Sequence, residues 1–190
     1  MTHPAPSETD ADAHASSEAG PDTTAGPAAA VPPTVEELAA QEQRLTLPRF
    51  THTDAWALGN LLVEMARLRE APVAIDIRRG RQQLFHAALP GSSADNDAWI
   101  DRKRRVVERY GESSLLVGAR HRERGTTFEE SARLAPDRYA AHGGSFPIAV
   151  EGAGVVGAVT VSGLPQLADH ALVVEALERF ASTAHGAPGV

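Results

Sequence analysis

Apolar positions along the chain change period several times, and each change predicts an element. Leu58, Leu61, Leu62, Met65 and Leu68 recur at i, i+3, i+4 and i+7, which predicts an amphipathic helix over about 54–70. Thr53 or Asp54 is its expected N-cap and Pro72 its stop. Ahead of it, Thr34-Val35-Glu36-Glu37 reads as a capping box, in which the Thr hydroxyl and the Glu carboxylate satisfy free amides at a helix start. A short helix to about Arg44 follows, then an extended connector over Leu45 to Phe50, broken at Pro48.

Val73 to Ile77 and Gln83 to Leu89 are strand-like runs on either side of Arg78-Arg79-Gly80, which predicts a β-hairpin with its turn at those three residues. Ser92 to Asp95 offers N-caps for a helix to Tyr110, closed by Gly111. On that helix Trp99, Lys103, Val106 and Tyr110 share one face. Lys103 therefore projects from an apolar stripe, where an ammonium costs free energy unless it reaches water or an anion.

Ser113-Ser114 caps a further helix through Val117, and short helices and loops are expected over 120–138. Phe146 to Val150 and Val155 to Val161 are the last two strands, with Pro147 near a start or on an edge and the second strand buried and central. Gly157 within it implies close approach by a neighbour. A final helix over about 165–184 presents Leu167, His170, Ala171, Val174, Leu177 and Ala181 on one side. The order of elements implies one largely antiparallel sheet with helices packed on both faces.

Composition changes this picture at the N-terminus. Residues 1–33 hold nine Ala, six Pro and five acids, with no Lys or Arg. Such a stretch buries too little apolar surface to offset chain entropy and is expected to be a disordered acidic tail. Five of the seven net negative charges belong to it. Residues 34–185 are then expected to form a single domain and 186–190 a short C-terminal tail. The first 33 residues lack the basic start and apolar run of a secretory signal, so a cytoplasmic location is expected. No apolar run reaches 18 residues, and the acidic balance argues against nucleic-acid or membrane-surface partners. Cysteine is absent, which excludes a disulfide scaffold, a thiol nucleophile and a Cys-ligated metal. Seventeen arginines stand against one lysine, Lys103.

Phe85-His86-Ala87-Ala88-Leu89-Pro90-Gly91, Trp99 to Lys103, Tyr139 to Ile148 with its Gly-Gly-Ser-Phe-Pro-Ile, and Val161-Ser162-Gly163-Leu164-Pro165 followed by Asp169-His170 form a specific combination. With these motifs, segment 36–180 resembles the UPF0303 family, within the wider haem-degrading-domain group. The resemblance implies a profilin-like α/β/α sandwich that assembles into homo-oligomers, in a group that binds haem and of which some members are said to degrade it. The narrower family has no settled activity.

Candidate chemistry is sparse. No His pair has metal-ligand spacing, and no C-x-x-C-H haem motif occurs. His142 is the best ligand candidate, because Gly143 and Gly144 after it let a ligand approach the backbone. Otherwise it is a loop histidine bonded to its neighbours. His86 and His170 read as interior or interface histidines. Arg102 and Lys103 either meet a ligand carboxylate, such as a haem propionate, or form an ion pair within or between subunits, for which Asp169 is one candidate. Gly143-Gly144-Ser145 and Gly163 precede a strand and a helix: either the helix start attracts an anion, unless Asp169 already complements it, or the glycines serve positive φ and tight packing. Arg120-His121-Arg122-Glu123-Arg124 lacks the aromatic partners of an RNA site.

Three readings follow. One is a homo-oligomeric binding protein for a small anionic or planar ligand, haem among them, held near His142, Gly143, Gly144, Ser145, Arg102, Lys103, Gly163, Asp169 and His170. The second is an oligomeric assembly or accessory protein without ligand chemistry. The third is a haem-degrading enzyme, for which the chain supplies no convincing acid–base pair.

Overall fold

The computed structural model describes residues 31–184. Most of the expected 1–33 tail, the expected C-terminal tail 186–190, and His3, His14 and His185 lie outside the described residues. Thr34 caps α1 (Val35–Arg44) through the reciprocal bonds of the capping box with Glu37. The remaining elements are α2 (His52–Leu68), β1 (Ala74–Arg79), β2 (Gln82–Ala88), α3 (Ala94–Tyr110), α4 (Ser114–Glu123), α5 (Phe128–Ser131), β3 (Ser145–Val150), β4 (Gly154–Ser162) and α6 (Gln166–Ala184).

The four strands form one antiparallel sheet in the order β2-β1-β4-β3. Side chains alternate between its faces, so Ile75, Ile77, Val159, Val161, Phe146 and Ile148 share one side. They pack against Leu58, Leu62 and Met65 of α2 and Leu172, Val173 and Leu177 of α6 in a single apolar core. Each such side chain withdrawn from water contributes about 1.5–3 kcal/mol. The other face carries Ala74, Asp76, Arg78, Ala158, Thr160 and Ser162, and α3 lies across it. This α/β/α sandwich agrees with the arrangement expected from the sequence. Pro147 sits on edge strand β3, where its missing N–H breaks no inner ladder bond. Gly157 faces the Arg78 carbonyl so closely that a Cβ would lie 2.1 Å from it.

Several local expectations are corrected. Helix α2 begins one turn early, with Thr51 as N-cap and Asp54 answering it in a capping box. Leu68 is 79% exposed, so the buried stripe of α2 runs through Ala55, Leu58, Leu62, Met65 and Ala66 instead. The helix ends at Leu68, ahead of Pro72, and Glu70 takes a positive φ of 51° as the chain leaves it. Arg78 and Arg79 stay in the strand, and the hairpin turns at Gly80 and Arg81. Helix α4 continues to Glu123, inside the stretch expected to be irregular. On α6 the buried line runs through Asp169, Leu172, Val173, Ala176, Leu177 and Phe180, while Ala171 faces out. The reason is that α6 packs against both the sheet and α2, which widens and rotates its inner face. Tyr110, placed on the apolar stripe of α3, is 39% exposed at the helix end.

Candidate functional site

Helix α3 needs no unusual sequence to form: Asn96 answers the N-cap Ser93, and Gly111 takes the left-handed conformation after its last turn. The geometry it sets up does depend on one residue. Lys103, 2% exposed, projects from the inner side of α3 toward the polar face of the sheet. Its Nζ donates to the Gly143 carbonyl at 3.1 Å, the Val161 carbonyl at 2.6 Å and Asp169 Oδ2 at 3.0 Å. An ammonium has three N–H groups, and these three acceptors use them all. Asp169, also 2% exposed, accepts the Leu164 amide on its other oxygen at 3.0 Å, which caps the start of α6. Burial lowers the Lys103 pKa and raises that of Asp169, and the attraction between the two opposes both shifts. The pair of readings left open for Lys103 thus resolves to the ion pair within the chain.

Gly144 makes room for this pair, and Gly143 for the start of α6. Gly144 has φ +118°, and a Cβ there would lie 2.5 Å from Lys103 Nζ and 2.9 Å from Asp169 Cβ. A Cβ on Gly143 would lie 2.2 Å from the Gln166 carbonyl. Gly163, φ +151°, faces the Pro72 carbonyl at 2.3 Å in the same sense. The close approach at these glycines is therefore made by protein atoms, the tight-packing alternative to a ligand.

Above the ion pair lies a cleft of about 260 Å³. Asp95, Asn96 and Trp99 of α3 form one wall, and Ser162, Gly163, Leu164 and Gln166 around the start of α6 form the other. His142 and Gly143 close one end. The Trp99 ring meets His142 edge-on at 5.3 Å between centroids, and the Arg102 guanidinium lies 3.8 Å from the Trp99 centroid. His142 is half-buried, with Nε2 3.8 Å from Glu129 Oε1. Burial chiefly holds its pKa below the usual imidazole value, helped by the positive charges of Lys103, Arg122 and Arg102 and opposed by Glu129. His142 is therefore biased toward the neutral form, which keeps a lone pair available.

Two predicted site residues lie elsewhere. Ser145 is fully buried; its hydroxyl bonds Thr160 Oγ1 at 2.8 Å and its amide bonds Ser114 Oγ at 3.2 Å, so it ties the sheet to α4. His170 is buried between α1 and Phe146, with Nε2 2.8 Å from Gln41 Oε1, while Nδ1 has no partner among the described residues. Asp95, Asn96 and Gln166, which the sequence reading missed, belong to the cleft. The only signal for them was proximity to the two motifs.

Burial lowers the His170 pKa to about 4. Between the ordinary value near 6.5 and this one, the unfolded chain binds the proton and the folded chain does not. Stability from this group is present above pH 6.5 and is lost as pH falls through about 4, a loss on the order of 3 kcal/mol. Chemical unfolding from pH 7 to 4 should show this slope, and His170→Phe should flatten it. An unchanged slope in the variant would assign the effect to other groups.

Comparison with known proteins gives a consistent picture. The family described as haem degrading protein HbpS-like matches residues 50–178. A UPF0303 protein of Streptomyces avermitilis is 79% identical over 152 residues, covering 80% of this chain and 93% of that one. The crystal structure of the Ybr137w protein superposes with a TM-score of 0.73 at 36% identity, covering 80% of this chain and 89% of that one. A PduOC complex with haem shares the fold, with a TM-score of 0.58 at 15% identity over 68% of this chain and 93% of that one.

Proposed function

Because this chain belongs to the HbpS-like haem-degrading protein family, in its UPF0303 branch, we propose that it is a cytoplasmic homo-oligomeric binding protein. Its single domain, 34–185, would hold a small anionic or planar ligand in the α3–α6 cleft. The observation that carries this reading is the pairing at one cleft mouth of a flat aromatic ring, Trp99, with an imidazole biased to its neutral form, His142.

Haem is the ligand to try first, since a protein of the same fold has been crystallised with it. When bound, haem supplies an iron centre and two propionates. The residues present answer the group in part: the neutral imidazole of His142 would hold the iron, and Arg102, which covers one face of Trp99, would meet a carboxylate, leaving only the rest of the Trp99 ring for a planar ligand. Lys103 contributes no bond to it, because its donors are filled. Its part is to fix the cleft floor.

Two features support self-association. The cleft volume falls below the roughly 300–1,000 Å³ of ligand pockets that enclose their contents. A second copy across the mouth would complete it. Trp56 and Leu68 of α2 are also 59% and 79% exposed, which leaves apolar surface for a partner copy.

A haem titration of the full chain tests the ligand. Wild type should give a saturable Soret shift, with affinity weakened about tenfold or more in His142→Ala. Absence of a Soret shift, or an unaltered titration in the variant, rejects haem at this site. A monomeric mass at micromolar concentration rejects the assembly.

One observation favours a second reading, an assembly or accessory protein without ligand chemistry. Every family motif around the ion pair is occupied by internal contacts: Lys103 by three acceptors, Gly143 and Gly144 by Gln166 and Lys103. A large mass in solution together with a featureless haem titration would select it.

A further inference from the structure

Asp76 stands in the middle of β1, 1% exposed, on the sheet face that α3 crosses. A carboxylate buried there costs free energy unless both oxygens are satisfied. Arg78, two residues along the same face, donates from Nε to Asp76 Oδ2 at 3.1 Å. Gln83 of β2 donates from Nε2 to Asp76 Oδ1 at 2.5 Å. Both side chains continue into a second cleft of about 270 Å³, between the β1–β2 hairpin and the first half of α3.

The buried carboxylate fixes what those two side chains present. Held by Nε, Arg78 leaves its two terminal amines as a fork, unpaired among the described residues. Held by Nε2, Gln83 turns its carbonyl oxygen outward as an acceptor. Beside them on the same sheet face, His86, paired with Asp76 across the hairpin, reaches Asp97 of α3 through Nε2 to Oδ1 at 2.8 Å, and the second oxygen of Asp97 has no partner among the described residues. Asp101, also on the wall, is neutralised by Arg104 and Arg105.

A planar cationic fork and a neutral acceptor therefore stand side by side on the hairpin, and an open carboxylate on α3 lines the same small space. A simple anion would match Arg78 but sit against Asp97. A simple cation would match Asp97 and Gln83 but sit against Arg78. A small molecule that carries a carboxylate and an ammonium on one carbon meets the whole set. We propose that this second cleft binds a free amino acid or a similar small zwitterion, with its carboxylate on the Arg78 fork and its ammonium between Gln83 and Asp97. Asp76 acts as a positioning residue, since it reaches the ligand only through Arg78 and Gln83.

Titration calorimetry on the full chain tests this with L-alanine, L-serine and L-glutamine, and with propionate and ethylamine as the separated halves. At least one amino acid should bind saturably, and each half should bind about tenfold more weakly or worse. Arg78→Lys keeps the charge but not the fork and should weaken binding about tenfold or more. Asp76→Asn should weaken it too, and melting curves check that each variant is folded. Because Arg78 is partly exposed, its variant remains informative if Asp76→Asn fails to fold. No saturable heat from any of the three amino acids overturns the proposal. So does propionate binding as tightly as the best amino acid, or an Arg78→Lys protein that binds like wild type.

Discussion

Lys103→Met should destabilise the fold by about 3–5 kcal/mol, the range found when one partner of a buried ion pair is removed. The variant loses an ammonium that serves three acceptors, and it leaves Asp169 charged in a site almost closed to water. Asp169→Asn added to Lys103→Met should recover part of the loss. It removes the stranded charge while its amide oxygen still accepts from Leu164 and its amide hydrogens lie near the carbonyls that Lys103 served. Lys103→Arg should not substitute, because a planar guanidinium does not fit beside Gly144 as a compact ammonium does. Urea unfolding of the four proteins gives the comparison. A loss below about 1 kcal/mol for Lys103→Met is what an exposed pair yields, and would show that water reaches the site in solution.

Gly144→Ala should be nearly as damaging. Its φ of +118° is disfavoured for any residue with a Cβ, which costs about 1–3 kcal/mol. The new methyl must also displace the Lys103 ammonium or the Val161 carbonyl, and overpacking of this kind adds about 1–3 kcal/mol. The two contributions can be separated. In a Lys103→Ala background the ammonium is gone, so the added cost of Gly144→Ala should fall. A double-mutant cycle measures that coupling, expected at about 0.5–3 kcal/mol for residues in contact. Strict additivity would mean that the glycine answers to its backbone conformation and the Val161 carbonyl rather than to the ammonium.

The sequence was most legible where the signal is local. The Thr34–Glu37 box, the apolar run of α2, Gly111 at the end of α3 and the turn between β3 and β4 each lie within a few residues of the element they define. Errors clustered where two structures compete for the same residues. Thr51 rather than Thr53 or Asp54 caps α2 because Thr51 and Asp54 satisfy one another's amides, and an Asp at that position is a weaker textual cue than Glu. Ala171 was assigned to the wrong side of α6 because a helix packed on two partners buries more than one stripe.

The candidate site divides along the same line. That a lone lysine on an apolar helix face reaches either water or a negative group followed from the cost of burying an ammonium, and Asp169 was one candidate partner. What surrounds them was not legible. Gly143, Val161 and Asp169 converge on Lys103 across separations of 40, 58 and 66 residues, and no local pattern encodes such a meeting. The same holds for Asp76, Arg78 and Gln83, which read as ordinary strand residues until the hairpin pairs them.

By itself, then, the sequence determined the elements, the antiparallel hairpins, the family and the need for Lys103 to be neutralised, because periodicity, capping and the cost of an isolated charge act on near neighbours or single residues. The tertiary structure alone decided that this neutralisation is internal, that Gly144 makes room for an ammonium, and that two polar clefts flank α3. Those outcomes depend on which strands pair in which register, and register is set by the whole sheet rather than by any segment of it.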